Sequence, residues 1–281
     1  MSRYPKMFSR LEEEGSGAFV PFVMIGDPSP AMSEAVIEAL IEGGADALEL
    51  GVPFSDPVAD GPTIQRAHVR ALTGGAGLAV CLDVVKRVRE RHPELPIGLL
   101  VYGNVPFAVG VEEFYAACAD AGVDSVLLPD VPIREGSDFS RAARAAGIDA
   151  VYIAPPSASI ETLDAVASAS RGYVYAVSRA GVTGTESAAS TAGLARSVKR
   201  LGQEAAAPVM LGFGVSTPEH VREAINAGAA GAISGSAVVK IVEEHSDALV
   251  ASGSGDEAED FAAARRDLVA FVSRMKAATR P

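Results

Sequence analysis

The chain has 281 residues and is 48% hydrophobic, enough to bury a sizeable core and too apolar for a largely disordered polymer. Its 24 basic and 36 acidic residues leave a net charge of -12 with no basic cluster, which argues against nucleic-acid and anionic-membrane partners and fits action on small molecules. Cys81 and Cys118 lack metal-type spacing, residues 1–14 hold no apolar h-region, and no apolar run approaches the ~18 residues of a membrane span, so a reduced, cytoplasmic protein is expected.

In chain order, an amphipathic segment at 4–14 precedes eight apolar runs, at 19–25, 47–51, 97–102, 125–129, 150–154, 173–178, 209–214 and 229–234. Each run is continuously apolar, the pattern of a parallel-sheet strand buried on both faces. Helical periodicity fills the intervals at 32–41, 76–91, 112–121, 139–146, 161–168, 194–201 and 218–227, with a short helix at 238–244. Eight βα units predict an α/β fold of the (β/α)8 type, a TIM barrel, as a single domain over 1–281 with additional N-terminal and C-terminal helices. Segment 4–14 is expected to cover the barrel floor, and 258–278 to pack outside after a solvated connector at 252–257.

A degenerate repeat supports the barrel. Gly43-Gly44-Ala45-Asp46, Ala121-Gly122-Val123-Asp124, Ala146-Gly147-Ile148-Asp149 and Ala227-Gly228-Ala229-Ala230 each place Gly where a helix ends and a strand begins. The αβ loops are therefore short. The long connections are the βα ones, at 26–30, 52–63, 103–111, 130–136 and 179–193, and a barrel of this kind builds its site from them.

Lys6, Lys86, Lys199, Lys240 and Lys276 fall in helical or terminal segments, which leaves no lysine at a strand end to form an imine. His68, His92, His220 and His245 also fall in helical stretches, none paired at ligand spacing, so neither a metal nor a cofactor is expected. The chemistry then rests on carboxylates. Glu49 ends the buried run Leu48-Glu49-Leu50-Gly51, where a carboxylate is costly unless paired, hydrogen-bonded or protonated. It is either a structural group satisfied by backbone donors or a tyrosine hydroxyl, or an acid/base. The Pro- and Gly-rich turn that follows carries Asp56 and Asp60 back over the strand end, and each is also a residue type that caps its own turn. Gly212-Phe213-Gly214 and Gly235-Ser236-Ala237 end the seventh and eighth strands. The second opens a helix whose N-terminal amides can hold a phosphate without a cationic side chain, although tight barrel packing would need the same glycines. Residues 179–193, rich in Gly, Ser, Thr and Ala, read as a lid ordered by substrate.

The run Leu48-Glu49-Leu50-Gly51-Val52-Pro53-Phe54-Ser55-Asp56-Pro57-Val58-Ala59-Asp60-Gly61-Pro62, with the segments 178–184 and 212–236, resembles the signature of the tryptophan synthase alpha subunit, and the likeness covers roughly residues 4 to 275. The resemblance implies retro-aldol cleavage of indole-3-glycerol phosphate to indole and glyceraldehyde 3-phosphate. Protonating the indole at C3 makes an iminium, an electron sink that needs neither lysine nor metal. It implies Glu49 as the acid/base and Asp60 as the partner of the indole N–H. It assigns the phosphate to Gly184, Gly212, Gly214, Gly235 and Ser236, and the indole slot to Phe22, Leu100, Leu127, Ile153, Tyr175 and Phe213, each of which also suits plain barrel core. Thr183 belongs to the implied lid.

Tyr175 is expected to reach Glu49 with its hydroxyl, and burial of Glu49 against exposure of Asp60 to separate their protonation. Pro53, Asp56, Pro57, Asn104 and Phe107 are implied to face a pyridoxal-phosphate beta subunit that receives the indole in an α2β2 tetramer. Phe54 and Pro106 add to the stiff, apolar character of the same two loops. One departure falls there: Tyr102-Gly103-Asn104-Val105-Pro106 sets its proline one place later than the family's Tyr-x-Asn-Pro. Other readings are a phosphate-binding barrel such as a phosphoribosyl isomerase, which would not require the Pro-Phe-Ser-Asp-Pro-x-Ala-Asp-Gly run, a regulatory subunit with incidental turnover, and a free-standing lyase that releases indole.

Overall fold

The computed structural model describes residues 2–156, 158–177, 191–247 and 259–280. Strands β1 (Ala18–Met24), β2 (Leu48–Gly51), β3 (Ile97–Leu100), β4 (Ser125–Leu127), β5 (Asp149–Val151), β6 (Ile153–Ala154), β7 (Val174–Val177), β8 (Val209–Gly212) and β9 (Gly231–Ser234) form one sheet in the order β5-β4-β3-β2-β1-β9-β8-β7-β6. Every pairing is parallel. The apolar run 150–154 supplies both β5 and β6, interrupted at Tyr152, whose carbonyl accepts from the Tyr175 N–H at 3.1 Å. The two ends of the sheet are thus one stretch of chain, and the (β/α)8 barrel closes.

Around it lie α1 (Tyr4–Glu13), α2 (Pro30–Glu42), α3 (Pro62–Thr73), α4 (Leu78–Arg91), α5 (Asn104–Val109), α6 (Val111–Ala121), α7 (Ser137–Ala145), α8 (Ile160–Ala169), α9 (Thr191–Glu204), α10 (Pro218–Asn226), α11 (Ser236–Glu244) and α12 (Glu259–Ala277). Three of these correct the sequence reading. Helix α3 takes up the end of the loop expected at 52–63 and runs on to Thr73, with Pro62 at its first position, where a missing N–H costs nothing and φ is already helical. Helix α5 occupies most of the loop expected at 103–111, with Pro106 still in its first turn. Helix α9 includes Thr191, Ala192 and Gly193, so the last three residues of the expected lid are helical. The αβ junctions turn at Gly44, Gly122, Gly147 and Gly228, with φ of 99°, 84°, 74° and 92°, values that exclude most side chains.

Helix α1 covers the N-terminal ends of the strands. Its Tyr4, Met7 and Leu11 are buried in a cluster with Ala18, Val20, Ala47, Tyr173 and Met210. Beside it, the buried Asp124 accepts from the Arg3 backbone N–H (3.0 Å), Arg3 Nη1 (2.9 Å), Arg89 Nη2 (2.7 Å) and the Ile97 N–H (2.8 Å). A carboxylate satisfied this fully can be buried, and it ties the chain entrance to β3 and α4. Helix α12 packs outside on α2 and α11, its Lys276 Nζ 2.8 Å from Asp46 Oδ2. Cys81 and Cys118 are buried core residues whose thiols burial pushes up to about 12, which keeps them protonated and unreactive. Among the described residues no single helix is long and apolar enough to cross a membrane.

Candidate active site

Glu49 lies on β2 between Phe22 of β1 and Gly98 of β3 and is 2% exposed. Its Oε1 accepts from the Tyr173 hydroxyl at 3.0 Å. Burial pushes the carboxyl up to about 7; the Tyr173 hydrogen bond opposes that shift and the nearby Asp60 charge adds to it. Both protonation states are therefore accessible near neutral pH. The expected partner, Tyr175, is not the donor. It sits two residues beyond Tyr173, within β7, its ring against Gly212, where a Cβ would lie 2.1 Å from the Tyr175 hydroxyl oxygen. Gly212 thus makes room for a ring, and it does not line the cleft.

Asp60 is 6% exposed, so the expected contrast between a buried Glu49 and an exposed Asp60 does not hold. The Tyr102 hydroxyl donates to Asp60 Oδ2 at 2.7 Å and accepts from the Ala59 N–H at 3.1 Å. His68 Nε2 stands 3.1 Å from the same Oδ2, while His68 Nδ1 accepts from the Phe54 N–H at 2.9 Å. Burial first, and then the Asp60 charge, hold the Tyr102 hydroxyl well above its ordinary pKa, so it stays a donor. The sequence reading did not single out Tyr102 or His68. Their only signal there was position: Tyr102 two residues beyond the end of β3, and His68 two helical turns after Asp60.

Glu49 and Asp60 share the wall of one cleft of about 680 Å³, open mouth included, at the C-terminal ends of the strands. All six side chains expected around a ring, Phe22, Leu100, Leu127, Ile153, Tyr175 and Phe213, line it. Gly214, Ser216, Gly235, Ser236 and Ala237 line it as well, Ser236 and Ala237 opening α11. Phe213 has a φ of 65°, costly for a bulky residue, and Gly214 follows at 78°. Among the described residues that line the cleft there is no Lys or Arg. An anionic ligand would depend on the amides and dipole at the start of α11.

The family model for the tryptophan synthase alpha chain matches residues 8–279. The chain belongs to that family. The tryptophan synthase alpha chain of Corynebacterium efficiens is 56% identical over 280 residues, spanning 100% of this chain and 99% of its own length. A solved tryptophan synthase from Mycobacterium tuberculosis superposes with a TM-score of 0.85 at 31% identity, covering 100% of this chain and 99% of that one. The tryptophan synthase a2b2 complex from Pyrococcus furiosus gives 0.78 at 33%, covering 93% and 98%. As a tryptophan synthase alpha chain family member, the protein is an enzyme of tryptophan biosynthesis.

Of the implied tryptophan synthase docking residues, Asp56 and Asn104 are exposed, Phe107 is 76% exposed and Pro57 is half-buried. Pro53 and Pro106 are buried and offer nothing to a partner; Val58, 75% exposed, extends the apolar surface instead. Thr183, Gly184 and the segment 178–190 of the implied lid lie outside the described residues, as does the connector at 252–257.

Proposed function

We propose that the chain is a lyase that splits indole-3-glycerol phosphate into indole and glyceraldehyde 3-phosphate. One observation carries the reading: a carboxyl titrating near 7 and a second buried carboxylate face one apolar cleft that is also lined by a helix N-terminus. Glu49 gives its proton to C3 of the indole, leaving an iminium at the ring nitrogen. The same carboxylate then takes the proton of the side-chain hydroxyl. As that O–H bond breaks, a carbonyl forms, the bond to C3 breaks, and its electron pair restores the aromatic ring. Glu49 ends protonated as it began, and the products contain every atom of the substrate. Asp60 accepts the indole N–H and opposes the positive charge that develops on the ring. Phe22, Leu100 and Phe213 with their neighbours hold the ring, and Gly214, Gly235 and Ser236 the phosphate; the family resemblance adds Gly184 to the phosphate and Thr183 to the lid, both outside the described residues.

The phosphate assignment has its own test. A Cβ at Gly235 would come no nearer than 3.5 Å to the Phe22 ring, an ordinary contact, and φ there is -106°. Gly235→Asp should therefore fold, yet weaken glycerol phosphate binding at least about tenfold, because it sets a carboxylate against a bound anion. Unchanged affinity by titration calorimetry would move the phosphate elsewhere.

A pyridoxal-phosphate beta subunit in an α2β2 assembly is the proposed partner. The exposed Val58 and Phe107, in the connections that follow β2 and β3, and the similarity to a tryptophan synthase a2b2 complex support it. The decisive experiment mixes the purified chain with indole-3-glycerol phosphate, with and without a cognate beta subunit, and measures glyceraldehyde 3-phosphate release and sedimentation. Release that rises on mixing, with co-sedimentation, is the expected result. No release in either case would overturn the reaction, and full release without association would favour a free-standing lyase.

A further inference from the structure

We infer that His68 is a positioning residue for Asp60, working through one fixed tautomer. A neutral imidazole has one donor and one acceptor. The Phe54 N–H, 2.9 Å away, uses the Nδ1 lone pair, so the proton sits on Nε2 and is given to Asp60 Oδ2, 3.1 Å away. His68 is 1% exposed, and its ring edge meets the Tyr102 ring with centroids 6.1 Å apart. It thereby joins three parts of the site: the backbone of the loop after β2, helix α3, and the Asp60 carboxylate. The Tyr102 hydroxyl is a second donor to the same Oδ2. Two donors on one oxygen fix the carboxylate's rotation and leave Oδ1 as the oxygen for the ligand's N–H. Tyr102 alone would fix one contact and leave the carboxylate free to turn about it. The alternative is a histidine satisfied in the core and irrelevant to turnover, and the two differ in what a donor-free replacement does.

The inference rests on the reaction proposed above, and its test separates the two. His68→Leu fills most of the space without a donor, whereas His68→Gln places an amide N–H where the ring carries Nε2. We expect kcat for cleavage of indole-3-glycerol phosphate to fall at least about tenfold in His68→Leu with KM within about threefold, and His68→Gln to recover kcat to within about threefold of wild type. In ¹⁵N-labelled wild-type protein, the imidazole signal that disappears in His68→Gln should show a protonated Nε2 and an unprotonated Nδ1. Wild-type protein that cleaves nothing would overturn the reaction. Wild-type protein that cleaves normally, with His68→Leu keeping more than about a third of kcat, or with the proton found on Nδ1, would overturn the inference alone. Should His68→Leu fail to fold, the nitrogen spectrum and the kcat of His68→Gln decide it.

Discussion

Glu49→Gln protein should cleave indole-3-glycerol phosphate about 10²–10⁴-fold more slowly than wild type while binding glycerol phosphate normally. The amide keeps the shape and can still accept from the Tyr173 hydroxyl, 3.0 Å from the present carboxylate, but it cannot exchange a proton. The same substitution should also change stability, in a direction set by pH. Glu49 titrates near 7 when folded because burial disfavours its charge, against roughly 4.3 in an unfolded chain. Between those values the folded protein holds the extra proton. Stability contributed by the neutral form is therefore lost as pH rises through that window, reaching a penalty of about 4 kcal/mol above pH 7. Glutamine has no charge to desolvate. Urea denaturation should thus find Glu49→Gln more stable than wild type at pH 8, with the gap closing toward pH 5. A folded variant with more than about a tenth of wild-type turnover would remove Glu49 from the acid/base role, and a gap independent of pH would mean that the carboxyl is not held above its ordinary value.

Asp60→Asn should lower kcat by about 10²-fold or more, with a smaller loss of affinity, roughly tenfold, for a substrate analogue. The hydrogen bonds around Asp60 explain both effects. Its Oδ2 receives the Tyr102 hydroxyl and His68 Nε2, so the amide oxygen of asparagine has to occupy that place to keep them. The NH2 group is then left to meet the indole N–H, donor against donor. The negative charge that would oppose the forming iminium is lost as well. Because both protein hydrogen bonds survive, thermal stability should change little. Steady-state kinetics together with calorimetry decide the matter: a loss confined to affinity, with kcat unchanged, would leave Asp60 a binding group only.

Much of this site was legible from the chain itself because its informative residues are local. Eight continuously apolar runs separated by helical periods specify a parallel barrel, since only strands covered on both faces can afford such composition. A carboxylate at the end of one such run is conspicuous for the same reason, and Glu49 was found that way. The six ring-lining positions came from the family resemblance, and the structure brings all six to one cleft because the strands of a barrel deliver side chains to the same face.

What the sequence could not give were relations between residues far apart in the chain or across the barrel. Tyr173, just before β7, and Tyr175 within it are two residues apart and equivalent in pattern; the stagger of strands around the barrel decides that Tyr173, 124 residues from Glu49, is the one that reaches it. Asp60 looked like a turn carboxylate open to solvent. It is buried because Tyr102, 42 residues further on, folds over it and α3 brings His68 back beneath the loop. Helices α3 and α5 were hidden by prolines that mark loops in sequence but suit a helix's first turn in three dimensions. Composition and periodicity thus determined the barrel and the buried carboxylate of Glu49 on one of its strands, since both follow from which residues must leave water. The tertiary structure decided which hydroxyl and which imidazole hold the two carboxylates, because hydrogen bonds depend on distances of an ångström that no spacing along the chain encodes.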